Sequence, residues 1–168
     1  MKTSDIRNQL SDKYLAGDFR ENGTIEIQNA HFEADKDFIV PFFIFKSDWS
    51  DDWYAKYYTP IVDKQFDYIV KKLNNNKSDR QAVICMASQN EHESPGYICT
   101  IYIQMFINSD KLDWIVNMRS NDIMRYPYDF RWNIQMQKRF CTALNLNPGK
   151  IFWNVGSLHC YLKDCKYL

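Results

Sequence analysis

Residues 97–122 read YICTIYIQMFINSDKLDWIVNMRSND, and this stretch determines the fold more clearly than any other part of the sequence. Apolar, aromatic and β-branched residues dominate 97–107 and 112–118, which is typical of buried or half-buried strands. Ser109 and Asp110 lie between them and carry the short polar side chains that favour a turn. The stretch therefore predicts two consecutive strands joined by a turn.

The sequence on both sides of these strands predicts helices and further strands. Pro60 opens a helix whose apolar residues recur on one face, and a second helix runs over 128–144. Shorter patterns predict an N-terminal helix within 1–20, strands at 24–27, 38–45, 82–86, 151–155 and 158–162, loops at 47–52 and 89–96, and a turn at 147–149. Without a repeat or a linker, the chain is predicted to be a single α+β domain spanning 1–168.

The composition is that of a folded protein without a charge bias. Hydrophobic residues make up 45% of the chain and aromatic residues 16%, and 21 basic side chains balance 21 acidic ones. This excludes a disordered chain and gives no basic surface for direct nucleic-acid binding. The N-terminus has no apolar signal-peptide core, and the longest apolar run is too short for a membrane span. We expect a cytoplasmic protein without membrane contact.

The cysteines favour reduced thiols. Five occur at irregular spacing, which does not suit a disulfide framework. The sequence has no Cys-x-x-Cys pair and its three histidines are scattered, so no metal site is expected.

Three groups of side chains have both an ordinary and a functional interpretation. Cys99 lies early in a predicted strand, where cysteine is most often an apolar filler. Arg119 and Ser120 lie at the end of the next strand. They are either ordinary surface residues or a pair that binds a phosphate. His159 and Tyr161 alternate on one face of a strand, so they could reach one ligand or be ordinary half-buried side chains.

Several stretches together resemble the thymidylate synthase family, which includes the deoxycytidylate hydroxymethylases. Residues 99–122 match without a gap, 127–129 (Pro-Tyr-Asp) look like the family's Pro-Phe-Asn, and 146–161 are similar to its Leu-x-Pro-Gly and Gly-Asp-x-His-x-Tyr motifs. The resemblance implies a thymidylate-synthase-like bent mixed sheet with flanking helices, truncated at its C-terminus. It also implies a homodimer that forms through the sheets.

The same resemblance implies roles in a pyrimidine monophosphate site. Cys99 falls on the nucleophile that attacks C6 of the pyrimidine. Arg119 and Ser120 fall on the phosphate-binding pair. His159 and Tyr161 fall on the residues that hold the sugar 3′-hydroxyl.

Three further positions complete the implied site. Arg20 matches the family's early phosphate loop, and Arg80 lies in a segment that resembles the one lending arginines to the partner subunit's phosphate. Asp129 stands where uracil-specific members have asparagine, whereas members acting on cytosine carry aspartate. A carboxyl group can accept from the 4-amino group of cytosine, so dCMP is the better substrate guess.

Some positions depart from the family pattern. Ile98 and Thr100 flank the nucleophile instead of Pro and His, Ser157 replaces an aspartate, and no matching glutamate occurs within 45–58. The sequence stops at Leu168, whereas family enzymes continue into a tail that closes over the folate and excludes water. These departures predict little or no methyl transfer and no bound cofactor.

An acidic segment supports a different function. It contains six carboxylates and two tryptophans, a composition suited to an interface. Rows of carboxylates can imitate DNA phosphates against a basic surface. The alternative is a solvated loop. The carboxylates of the acidic segment are Glu33, Asp35, Asp37, Asp48, Asp51 and Asp52, and its tryptophans are Trp49 and Trp53.

The main hypothesis is therefore a non-catalytic phage protein with this fold that binds and inhibits a host DNA replication protein. Its length and its Asn-, Lys- and Ile-rich composition resemble the small sliding-clamp inhibitors of staphylococcal phages, so the clamp is the expected partner, in the host cytoplasm. The alternative hypothesis is a C5 methyl- or hydroxymethyltransferase acting on dCMP or dUMP with methylenetetrahydrofolate.

Overall fold

The computed structural model of the protein describes residues 3–34, 51–87 and 98–168. The described parts contain helices, strands and a final single turn of 3₁₀-helix at Cys165–Tyr167. In chain order the elements are α1 (Thr3–Leu15), β1 (Thr24–Glu33), α2 (Asp51–Tyr57), α3 (Thr59–Asn75), β2 (Val83–Cys85), β3 (Thr100–Asn108), β4 (Lys111–Asp122), α4 (Tyr126–Leu144) and β5 (Asn147–Tyr161).

The strands form one mixed sheet in the order β1-β5-β4-β3-β2. Helix α4 connects β4 to β5, and these two central strands run parallel. The other neighbouring pairs are antiparallel. The α+β class and the mixed sheet with flanking helices are therefore confirmed.

The two strands predicted from residues 97–122 are present as β3 and β4. Ser109 adopts a left-handed backbone with φ of 60°, which suits the tight connection between Asn108 and Lys111. Strand β3 begins at Thr100, so Cys99 lies immediately before the strand rather than inside it. This leaves the thiol at the end of the sheet instead of within its pleat.

The turn predicted at residues 147–149 is wrong, because these residues begin β5. Pro148 lies at the start of the strand and pairs with Leu112, where the missing N–H of a proline is tolerated. A Cβ atom at Gly149 would lie 2.9 Å from the Leu112 carbonyl oxygen. The Pro-Gly pair therefore serves close packing of the parallel strands rather than chain reversal.

The two last predicted strands are a single strand of 15 residues. Gly156 lies in its middle, and a Cβ atom there would be 2.8 Å from the Arg119 carbonyl oxygen. The glycine thus permits β5 to continue alongside β4 without a break. The pairing of β5 with β4 extends from Lys111–Asn147 to Asp122–His159, with one register shift between Leu112 and Trp114.

Helices α3 and α4 cover the buried face of the sheet. Trp114 of β4 is fully buried, donates its indole N–H to Asn133 Oδ1 at 2.8 Å, and packs against Phe140 at 5.7 Å. Phe66 of α3 contacts the same Phe140 ring at 4.5 Å. In the described parts of the chain, no helix is both long and apolar enough to cross a membrane.

The loop predicted at residues 47–52 is wrong for its last two positions. Asp51 and Asp52 form the first turn of α2, where carboxylates favourably face the positive end of the helix dipole. The strand predicted at 38–45 and the loop predicted at 89–96 lie outside the described residues.

Candidate active site

A cavity of about 220 Å³ lies where the C-terminal ends of β4 and β5 meet the start of α4. Six of the eight residues predicted for catalysis and nucleotide binding line it: Cys99, Arg119, Ser120, Asp129, His159 and Tyr161. The sequence did not point to the remaining lining residues, which are Tyr54, Tyr58, Asn121, Asp122 and Arg125. The fold thus brings together the residues that the family motifs single out.

The parallel pairing of β4 and β5 explains how distant motifs meet. Asp122 is aligned with His159, and Ser120 with Ser157. The backbone N–H of Ile123 also donates to the His159 carbonyl oxygen at 2.8 Å. Because both strands end at the same edge of the sheet, their last residues face one cavity.

Cys99 lies beside the predicted phosphate-binding pair. Its half-buried thiol sulfur is 3.7 Å from the Ser120 hydroxyl oxygen. The Arg119 guanidinium donates to the same hydroxyl at 3.2 Å, and the Arg119 backbone N–H donates to the Cys99 carbonyl at 2.9 Å. A thiol and a guanidinium group are therefore held next to each other.

Asp129 is held from two sides in the buried part of the cavity, with 6% of its surface exposed. The Tyr54 hydroxyl donates to Oδ1 at 2.7 Å, and the Asn121 amide donates to Oδ2 at 2.8 Å. Burial raises the pKa of Asp129 to about 6, although these two hydrogen bonds act to lower it. The carboxyl group therefore gains or loses a proton close to neutral pH.

An aromatic cluster fixes the phenol that contacts Asp129. Tyr54 and Tyr58 lie one turn apart around α2, and their rings are 6.0 and 5.2 Å from the Trp132 ring. Trp53 packs at 5.1 Å against each tyrosine. Burial raises the pKa of both phenols, so they remain protonated hydrogen-bond donors.

The opposite wall of the cavity is polar. Burial raises the pKa of Asp122, which accepts from the Met124 backbone N–H at 3.1 Å and pairs with Arg125 at 3.6 Å. The His159 ring packs edge-on against Tyr161 at 5.4 Å, and its Nδ1 lies 3.4 Å from the Ser157 carbonyl. A proton on Nδ1 would leave Nε2 as an acceptor for a ligand hydroxyl.

Two predicted phosphate ligands do not line this cavity. Arg20 forms an ion pair with Glu26 at 3.1 Å, and Glu26 pairs with His159 across the β1–β5 ladder. Arg80 lies between α3 and the edge strand β2, away from the cavity. Its backbone carbonyl accepts a hydrogen bond from the Gln104 side chain at 2.9 Å. Their roles stay predictions.

The described part of the acidic segment does not form an unpaired row of carboxylates. Glu33 pairs with Lys150 at 2.9 Å, and Asp51 pairs with Arg131 at 2.9 Å. Asp52 is exposed at the start of α2, and Trp53 belongs to the aromatic cluster. The other members, Asp35, Asp37, Asp48 and Trp49, lie outside the described residues. In the ranges that are described, no three or more His, Cys, Asp or Glu side chains are grouped so that they could hold a metal ion.

Four lining residues carry a sequence signal that the predictions do not use. Asn121 and Asp122 belong to the Arg-Ser-Asn-Asp motif, but only its first two residues were assigned a role. Tyr54 and Tyr58 have the four-residue spacing of one helix face, but their helix was not recognised.

Comparison with known proteins agrees with this geometry. A sequence model of the thymidylate synthase family matches residues 28–168, and the chain belongs to this family. The deoxycytidylate 5-hydroxymethyltransferase of Enterobacteria phage T4 is 30% identical over 127 residues, which cover 67% of this chain and 48% of that protein. Thymidylate synthase 1 of Bacillus spizizenii is 28% identical over 102 residues, which cover 59% of this chain and 36% of that protein.

These relatives bear on the choice between the two functional hypotheses. The chain spans about half the length of the curated relatives that it matches. Their names are those of enzymes acting on pyrimidine nucleotides, which favours the transferase alternative over a non-catalytic protein. Neither the family nor these relatives support the expectation of a sliding-clamp inhibitor.

Proposed function

We propose that the protein transfers a hydroxymethyl group to C5 of dCMP. The observation that carries the proposal is the buried carboxyl group of Asp129 in the same cavity as Cys99 and the Arg119–Ser120 pair. A pyrimidine monophosphate presents a base edge, an electrophilic ring carbon and a dianionic phosphate. The cavity offers a matching group for each of them.

The phosphate and sugar are assigned to the exposed side of the cavity. Arg119 supplies a permanent positive charge, and the Ser120 hydroxyl adds a hydrogen bond. His159 and Tyr161 lie on the neighbouring strand, where an Nε2 acceptor and a phenol suit a sugar hydroxyl.

Asp129 is assigned to the cytosine edge. Cytosine offers a donor at its 4-amino group and an acceptor at N3, so its complement is one acceptor beside one donor. A carboxyl group with one proton has this pattern, and a pKa near 6 lets Asp129 hold that proton or share it with N3. The dCMP reading is supported by this chemistry and by the name of the phage T4 relative.

Cys99 is assigned as the nucleophile. Its thiolate would add to C6 of the base and shift electron density to C5, which then bonds to the incoming carbon. Loss of the C5 proton would expel the carrier that delivered the carbon, and water would then add its hydroxyl group to that carbon. Expulsion of the thiolate would restore the ring and release the enzyme. The Ser120 hydroxyl at 3.7 Å can donate to the sulfur and help to hold it against C6.

The carbon donor that the family relationship implies is methylenetetrahydrofolate. The cavity of about 220 Å³ is smaller than the roughly 300–1,000 Å³ of typical ligand pockets. The residues that line it suit the base and sugar of a nucleotide but do not fit a folate in addition. We therefore assign no folate contact and no step to the described residues beyond those acting on the nucleotide.

We further propose a homodimer formed through the sheet face that α3 and α4 leave uncovered. Gln104, Ile115 and Phe152 align across three strands on that face, all half-buried. A second cavity of about 370 Å³ lies there, and Arg119 lines both cavities. The phosphate site therefore adjoins the proposed interface, and sedimentation at micromolar concentration should give a dimer rather than a monomer.

Tritium release from [5-³H]dCMP in the presence of methylenetetrahydrofolate tests the proposed reaction. We expect release that depends on both the folate and the protein, and slower release from [5-³H]dUMP. Absence of release from either nucleotide, with the protein folded, would reject the transferase function.

A further inference from the structure

The geometry points to Tyr54 as the positioning residue that makes the site select cytosine over uracil, because its hydroxyl confines the proton of Asp129 to Oδ2. This inference rests on the proposed function, since it concerns how the same site reads its base. Tyr54 is not part of any motif that the family resemblance supplied.

A carboxyl group alone does not discriminate between the two bases. With its proton on the oxygen facing N3, it accepts from the 4-amino group and donates to N3, which fits cytosine. With the proton on the other oxygen, it donates to O4 and accepts from N3–H, which fits uracil equally well. Selectivity therefore requires a neighbour that decides which oxygen is protonated.

The two oxygens of Asp129 have unequal neighbours. Oδ1 accepts from the Tyr54 hydroxyl at 2.7 Å, and Oδ2 accepts from the Asn121 amide at 2.8 Å. Hydroxyl donors form the shorter and stronger bonds to carboxylates. An oxygen that accepts the stronger hydrogen bond is the weaker base, so the proton is placed on Oδ2. Oδ1 is then the acceptor for the 4-amino group.

The surroundings hold Tyr54 in this orientation. Its side chain is 2% exposed, stacks on Trp132 at 6.0 Å and meets Tyr58 edge-on at 5.1 Å. A ring packed on several sides has little freedom to rotate away from Oδ1. Asn121 is 3% exposed and keeps the plane of the carboxyl group fixed from the other side.

Both oxygens of Asp129 have complementary hydrogen-bond partners when cytosine is present. Oδ1 would accept from Tyr54 and from the 4-amino group, while Oδ2 would accept from Asn121 and donate to N3. Uracil in the same position would set its O4 against the acceptor Oδ1 and its N3–H against the donor Oδ2. Such a mismatch in a buried site leaves polar groups unpaired and weakens binding.

Calorimetric titration of dCMP and dUMP tests this inference without relying on turnover. Wild-type protein should bind dCMP at least about tenfold more tightly than dUMP, since one lost buried hydrogen bond has this size. In Tyr54→Phe the ratio of the two dissociation constants should fall toward one. Tyr57→Phe removes an exposed hydroxyl beside the same aromatic cluster, at a residue that does not line the cavity, and should keep the wild-type ratio. An unchanged ratio in Tyr54→Phe overturns the inference.

A measurement on the wild-type protein covers the case in which Tyr54→Phe does not fold. Asp129 is mostly ionised at pH 7 because its pKa is about 6, so dCMP binding at that pH should take up nearly one proton. Titration in two buffers with different ionisation enthalpies measures this uptake. Binding without proton uptake, or no binding of either nucleotide, overturns the inference. Selective dCMP binding without tritium release would reject only the transferase function.

Discussion

The two halves of the cavity are built in contrasting ways. On the proposed phosphate side, Cys99 lies immediately before β3, Arg119 and Ser120 belong to the adjacent strand β4, and Arg119 is exposed. On the base side, Asp129 and Tyr54 come from different helices, 75 positions apart in the chain, and both are buried. The first half depends on local strand pairing, whereas the second depends on tertiary packing.

This difference fits what each half is proposed to recognise. A phosphate is bound by charge, and a charged arginine can act while it stays in contact with water. Cytosine and uracil differ in which of their edge groups donate and which accept hydrogen bonds. A protein can distinguish them only in a buried site, where water cannot replace a missing hydrogen-bond partner. Under the proposed function, selectivity requires that Asp129 is buried, and burial also raises the pKa of this carboxyl group.

The largest expected effect is on the nucleophile. Cys99→Ser should lower turnover of dCMP by at least about a thousandfold, because a serine hydroxyl is not ionised at neutral pH. Its dissociation constant for dCMP should change little, since the phosphate and base contacts remain. Cys85→Ser, an exposed cysteine on β2, is the matched control and should keep full turnover. Tritium release and calorimetry give the two readouts.

Removal of the base-reading group should have the next largest effect. Asp129→Ala should reduce kcat/KM for dCMP about a hundredfold, because the base loses both of its proposed hydrogen bonds. The preference for dCMP over dUMP should disappear with it. If the variant is folded and keeps the wild-type preference, Asp129 does not read the base.

The buried carboxyl group should also affect stability. Because the pKa of Asp129 is raised in the folded protein to about 6, from about 3.9 when unfolded, its contribution to stability is fully present below about pH 4 and is lost as pH rises toward 6. The loss is on the order of 3 kcal/mol for this buried group. Asp129→Asn should therefore unfold at higher denaturant concentration than wild type at pH 7, but not at pH 4. A constant difference between the two pH values would contradict the assignment.

The phosphate half should show the smallest of these effects. Arg119→Ala should raise the dissociation constant of dCMP by about tenfold or more, as expected for a lost charged hydrogen bond of ~1.5–3 kcal/mol. Arg139→Ala removes a partly exposed arginine of α4 that pairs with Asp63 outside the cavity, and it should leave affinity unchanged. Equal affinities for the Arg119 variant and wild type would reject its phosphate role.

The same contrast explains what could be predicted from the sequence. Strands β3 and β4, which position Cys99 and Arg119, follow from apolar and β-branched stretches joined by a polar turn, and these are local signals. The continuation of β5 through Gly149 and Gly156 could not be predicted from local signals. These glycines are needed because a side chain there would clash with backbone atoms of β4, which are distant in sequence. Tyr54 was missed since its contact with Asp129 exists only once α2 packs against α4.

A competition experiment tests the central claim most directly. The protein is incubated with equimolar dCMP and dUMP and with methylenetetrahydrofolate, and the nucleotide products are identified by mass spectrometry. The account predicts 5-hydroxymethyl-dCMP as the main product, absent in the Cys99→Ser variant. A methylated or hydroxymethylated uracil nucleotide as the main product, or no modified nucleotide at all, would contradict it.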